Sequence, residues 1–146
     1  MKYRIFFTAT LFVFLFSSHL HAQRNAADAQ HPALDGYCPV AYVEMNKPMK
    51  GDEKISSTYE GHRYVFANKD AKKMFEMDPG KYTPRYDGTC ATAMAMGKRM
   101  DADPQLFANF NGALYMFSSE EAMQQFGDDP DMIIEQADTH WSSMGE

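Results

Sequence analysis

The sequence is short of basic residues, of cysteine and of long apolar runs, and each shortage excludes something. Fourteen Lys and Arg stand against 20 Asp and Glu, a formal net charge of −6. Binding to a phosphate backbone needs a basic patch, so nucleic acid is not an expected partner. The one long apolar stretch, Ile5 to Phe16, has 12 residues, whereas a bilayer span takes about 18–20. Stable membrane insertion is therefore not expected. Nine Gly and seven Pro in 146 residues rule out collagen-like and low-complexity classes. No Gly-x-Ser-x-Gly, phosphate-binding glycine loop or His-Glu-x-x-His is present, so no enzyme is indicated. The two cysteines and five histidines form no short-spaced ligand pairs of the kind a zinc site uses.

What is present begins with an address. Lys2 and Arg4 precede the apolar stretch, and Ser17 to Ala22 closes it on a small residue. This is the form of an export signal over residues 1–22. Gln23, and not cysteine, stands directly after Ala22, so a lipid anchor is not expected. Cleavage there would remove two basic and no acidic residues, leaving 124 residues with the charge moved from −6 to −8. Residues 23–33 carry no pattern and read as a flexible leader. An exported protein meets an oxidising compartment, which gives Cys38 and Cys90 a possible disulfide partnership. Methionine is plentiful, at 12 residues.

The sequence also resembles itself. Asp35-Gly36-x-Cys38-x-x-Ala41 returns 52 residues later as Asp87-Gly88-x-Cys90-x-x-Ala93. At an offset of 51, Gly61, Tyr64, Phe66, Ala71, Phe75, Asp78 and Pro79 return as Gly112, Tyr115, Phe117, Ala122, Phe126, Asp129 and Pro130. Both identity and spacing are kept, the mark of an internal duplication. The units run over about 35–84 and 87–141, within one domain of 34–142.

Each unit has a local reading. β-Branched and aromatic residues flank Glu60-Gly61 and Asn111-Gly112, predicting hairpins over 55–66 and 106–117. A helix follows each, with Asn68 as one cap and Ser118 with Glu121 as a capping box on the other. Asp78-Pro79 and Asp129-Pro130 each start a further helix; in the last one Met132, Ile133, Ala137 and Trp141 form the expected buried stripe. The fold class is α+β: two ββα units, each preceded by a cysteine-bearing turn, packed about a pseudo-twofold axis. One unit of about 50 residues would be marginal alone.

Several strings resemble the YHS-domain family: Asp35-Gly36-Tyr37-Cys38-Pro39-Val40-Ala41-Tyr42, Gly61-x-x-Tyr64-x-Phe66, Phe75-x-x-Asp78-Pro79-x-x-Tyr82 and Tyr86-x-Gly88-x-Cys90-Ala91. The likeness runs from about Leu34 to Trp141. It implies a small α+β module related to treble-clef metal-binding domains, often exported, and associated with copper and zinc. The chain departs from the cysteine-rich members of that family. They carry cysteines at positions held here by Ala67 and Ala71, and by Ser118 and Ala122 in the second unit, so their four-ligand zinc site is not implied.

Three uses of Cys38 and Cys90 remain open on sequence, beside the plain reading that they are two unrelated buried thiols. As equivalent positions of a duplicated frame they are candidates for one soft-metal site, copper above all, with Met94 and Met96 as possible thioether ligands. Alternatively they form a disulfide that staples a metal-free interaction module. A thiol redox pair trails, because there is no Cys-x-x-Cys. Met45, Met49 and Met100 lie near the same cysteines; if Ala91 to Gly97 is strand-like, Met94 and Met96 share a face, and if helical they diverge. His31, His62 and His140 fall outside the repeated frame. N-terminal sequencing of the exported protein should begin at Gln23; a start inside Met1–Ala22 would refute the proposed signal.

Overall fold

Two-residue turns set both hairpins of the computed structural model, which describes residues 31–144; the expected signal segment and residues 23–30 of the leader lie outside the described residues. Strands β1 (Asp52–Tyr59) and β2 (His62–Phe66) are joined by Glu60-Gly61, and β3 (Asp103–Phe110) and β4 (Ala113–Phe117) by Asn111-Gly112. All four turn residues have positive φ, 48° and 82° in the first and 49° and 76° in the second. That backbone twists with the strands, and glycine takes its second position without a Cβ clash. Tyr59 pairs with His62 and Phe110 with Ala113. Each ladder shifts register at its outer end, between Asp52 and Ser56 and between Asp103 and Phe107. These irregularities carry the strands three residues further upstream than alternation predicts. The expected α+β class is observed: among the described residues there are two separate antiparallel two-stranded sheets and six helices.

The helices are α1 (Pro39–Met45), α2 (Lys69–Met77), α3 (Pro79–Tyr82), α4 (Ala91–Ala95), α5 (Glu120–Asp128) and α6 (Pro130–Met144). A lone hairpin is at best marginally stable in water, so the helix behind each one matters. On α2, Phe75 packs its ring 5.0 Å from Tyr64 and 5.1 Å from Phe66. On α5, Phe126 stands 5.0 Å from Tyr115 and 5.1 Å from Phe117. Asn68 caps α2 as expected, its Oδ1 accepting from the Ala71 amide at 2.8 Å. The cap of α5 is Ser119 instead of Ser118, its Oγ accepting from Ala122 at 3.2 Å. Ser119 stands 51 positions after Asn68, so the repeat spacing points to it where the capping-box pattern points one residue too early. The last helix runs past Trp141 to Met144 and buries Ile133 and Ala137. Met132, placed on the sequence-predicted buried stripe, is 45% exposed.

Helices α1 and α4 were not anticipated beyond a cysteine-bearing turn. Each is entered through a left-handed turn: φ is positive at Leu34, Asp35 and Gly36, and again at Tyr86, Asp87 and Gly88. Cysteine follows in extended conformation and precedes the first helical residue. Its amide is spent on the strand side, Cys38 donating to the Met49 carbonyl at 2.8 Å and Cys90 to Met100 at 2.9 Å. Ala33, assigned to the leader on sequence, packs against the first core cluster with Leu34.

The halves are fastened by Tyr42 of α1. Fully buried, it shares a cluster with Leu114 and Met116 of β4 and meets the Phe107 ring edge-on at 4.8 Å. Its hydroxyl donates to the Pro104 carbonyl at 2.7 Å, while Asn109 Nδ2 donates to the Tyr42 carbonyl at 2.8 Å. This contact joins unlike surfaces, a helix of one half and a hairpin face of the other. The residue equivalent to Tyr42 is Met94, which belongs instead to the second-half core with Ile133 and Ala137 of α6. The pseudo-twofold packing expected from sequence therefore does not describe this contact. Tyr42→Phe should cost about 1 kcal/mol by orphaning the Pro104 carbonyl. Tyr42→Ala should cost about 3–5 kcal/mol, the range for a large buried ring. Urea unfolding checks both; equal stabilities would refute the assigned role.

Candidate functional site

Cys38 sits where the left-handed turn hands the chain to α1, and its side chain is 1% exposed. It belongs to the first core cluster, with Val40, Ala41, Tyr64, Phe66 and Phe75. It also borders a cavity of about 210 Å³ whose lining includes Met45 and Met49 from the segment after it and Ala67, Ala71 and Met74 from the next helix and its approach. One cysteine and three methionines therefore line one space. Small side chains at Ala41, Ala67 and Ala71 leave that space open. Met45 and Met74 are 59% and 38% exposed, while Cys38 is buried. Glu44 and Asp70 are the carboxylates of the lining.

Cys90 holds the equivalent position in a different environment. It is fully buried in the second core cluster beside Met94, Tyr115 and Phe117, and its Sγ accepts from the Ala93 amide at 3.5 Å. Thr92, buried one turn on, donates to the Ala122 carbonyl at 2.7 Å and ties α4 to α5. The two cysteines are free and fall in separate clusters. The structure thus does not bring Cys38 and Cys90 together, and no disulfide staples the halves. Ala91–Ala95 is helical, so Met94 and Met96 diverge: Met94 is fully buried and Met96 is 59% exposed. Among the described residues no group of three or more His, Cys, Asp and Glu is placed to hold a metal ion. His62 lies 3.8 Å from Asp87, and His140 lies near Gly97.

Neither protein-family models, curated proteins nor solved structures give a match. The functional reading consequently rests on side chains. The sequence pointed to Cys38, Cys90, Met94 and Met96 as ligands and to Met45 and Met49 only as neighbours of Cys38; of the four, Cys38 alone lines this cavity. It missed Met74, whose signal was its place three residues after Ala71 on the same helix face.

One charged group on the cavity wall is fixed in place. Glu44 accepts from Lys81 Nζ at 2.6 Å and from the Tyr82 hydroxyl at 2.8 Å. These hydrogen bonds, Lys81 first and Tyr82 second, lower the Glu44 pKa from its ordinary value. The same contact raises Lys81. In the folded chain Glu44 thus holds its charge into acid, and α1 is clasped to α3. A depressed carboxylate stabilises above its unfolded pKa, and the contribution is lost as pH falls through the folded one. A carboxyl NMR titration should place the Glu44 midpoint below the ordinary glutamate range, and Lys81→Ala should move it up. An unshifted midpoint in the parent protein would refute the clasp.

Proposed function

We propose that this chain is an exported, non-catalytic, YHS-like module that binds one soft transition-metal ion, copper(I), at the Cys38 cavity. The observation that carries the reading is that buried Cys38 lines a single cavity together with Met45, Met49 and Met74. Thiolate and thioether sulfur are the donors that select copper(I), while zinc prefers thiolate and imidazole sets. The resemblance to the YHS family adds a coincidence of position. Ala67 and Ala71, which stand where cysteine-rich members carry cysteine, line the same cavity as Cys38. Methyl groups there take the place of two charged thiolates, and neutral methionine sulfur would supply the remaining donors.

This reading changes the ligand set expected from sequence. Cys38 acts without Cys90; Cys90 and Met94 have a packing role, and Met96 stands apart. We further infer that the halves are copies of one ββα unit. Supporting this are the matching left-handed turns before Cys38 and Cys90, the register shifts at equivalent places in both hairpins, and Phe75 and Phe126 in like aromatic surroundings. The copies have diverged in use: one keeps an open sulfur-lined cavity, the other a filled core.

Reduced protein, mixed with copper(I) and a chromophoric chelator, tests the site. One equivalent of copper(I) per chain should be withdrawn from the chelator. Cys38→Ser should abolish the competition, Cys90→Ser should retain it, and Met45→Leu with Met74→Leu should weaken it. Absence of competition, or its loss in Cys90→Ser but not in Cys38→Ser, would overturn the proposal.

A further inference from the structure

Among the described residues seven large apolar side chains are exposed, and all seven are methionine. Met45 and Met74 line the Cys38 cavity, and the other five, Met77, Met96, Met100, Met132 and Met144, do not. Their exposure runs from 44% at Met144 to 78% at Met77. No Leu, Ile, Val, Phe, Tyr or Trp among the described residues is exposed. Apolarity does not account for this choice, because leucine is at least as apolar and ranks beside methionine as a helix former. Gap filling does not account for it either, since that role belongs to irregular cores. Nor do the five form one patch. Met132 and Met144 lie toward opposite ends of α6, about 18 Å apart along its axis at 1.5 Å per residue, and Met77 closes α2 in the other half. What sets methionine apart from leucine at a wet position is its sulfur.

Thioether sulfur is a target of two-electron oxidants, and exposure decides which sulfur they reach. With hypochlorous acid the sulfur loses two electrons and gains one oxygen, while chlorine is reduced to chloride and a proton is released. The polar sulfoxide disrupts a core but is solvated at a surface. Sulfur inside the cores is kept back: Cys38 and Met116 are 1% exposed, and Cys90 and Met94 are fully buried. The partition follows repairability. Methionine sulfoxide is returned to methionine by sulfoxide reductases, whereas cysteine driven to sulfonic acid is lost. We propose that the exposed methionines are modification sites for hypohalous acids, at which oxidant is consumed reversibly while the two thiols and both cores stay intact. Five of the seven sites lie off the Cys38 cavity, so this stands apart from the copper(I) reading.

Reduced, metal-free protein would be titrated with hypochlorous acid and read by peptide mass mapping, methionine by methionine. Additions of about 16 Da, one oxygen each, are expected at Met77, Met96, Met100, Met132 and Met144 before any at Met94, Met116, Cys38 or Cys90. Near-UV circular dichroism should persist through those additions, and methionine sulfoxide reductases A and B together should restore the starting mass. A variant combining Met77→Leu, Met96→Leu, Met100→Leu, Met132→Leu and Met144→Leu changes exposed positions only. It should consume about five fewer equivalents of oxidant before its thiols are lost, one for each sulfur removed. Mixed with a cysteine protease, the parent should shield that enzyme from inactivation by the same margin over the variant. The order of oxidation in the parent decides the matter even where the variant is unstable. Oxidation of Cys38 or Cys90 ahead of the five, loss of the near-UV signal as they react, sulfoxides that the reductases leave in place, or equal shielding by a folded variant would overturn the proposal.

Discussion

The burial of Tyr42 is the central contact by which the two halves of this structure are joined. Each half contributes a two-stranded sheet and short helices, too little surface to close a durable core. The Tyr42 ring removes that weakness by filling the space over Leu114 and Met116. Its hydroxyl and carbonyl are both hydrogen-bonded across the junction, to Pro104 and from Asn109. Burial in that place raises its hydroxyl pKa, so the phenol stays neutral and keeps donating through the physiological range. With α1 anchored by this residue, the Cys38 turn at its start and the Met45 and Met49 segment after it are held in a fixed relation to α2.

That relation explains how equal sequence positions come to differ in chemistry. Cys38 and Cys90 are both reached through a left-handed turn, and both give their amide to a carbonyl upstream of a hairpin. Beyond that point the neighbours decide. In the second half α6 packs along α4, and Thr92 binds the Ala122 carbonyl. In the first half the corresponding residue to Thr92 is Val40, and α3 is a single turn of four residues. The longer helix packs along α4 in the second half, while in the first half a cavity lined by methionines lies beside Cys38. Glu44, held by Lys81 and Tyr82, ties that short helix to α1.

Legibility in the sequence followed the range of the forces involved. The Glu60-Gly61 and Asn111-Gly112 turns, the Asn68 cap, the Asp-Pro helix starts and the Phe75 and Phe126 faces depend on residues within a few positions of one another, and these readings match the structure. The Ser118 cap and the buried place of Met132 were misread, because two adjacent serines and a weakly amphipathic helix leave local pattern ambiguous. Helices α1 and α4 were missed for a different reason. They are short, and they persist because tertiary contacts bury Val40, Ala41 and Tyr42 in one case and Ala91 to Ala95 in the other.

The sequence by itself determined the α+β class, the two hairpins, the placement of one cysteine in each half and the recurrence of aromatic residues behind each hairpin. Turn chemistry and side-chain periodicity act over short distances and are written directly in residue order. Only the tertiary structure decided which sulfur-bearing residues line a common cavity. Spacing suggested Cys38 with Cys90, and Met94 with Met96; packing sets Cys38, Met45, Met49 and Met74 around one cavity and seals Cys90 inside the other core. The reason is physical: the two thiols are equivalent along the chain, but the surfaces that join the halves are not, and proximity in space depends on those surfaces.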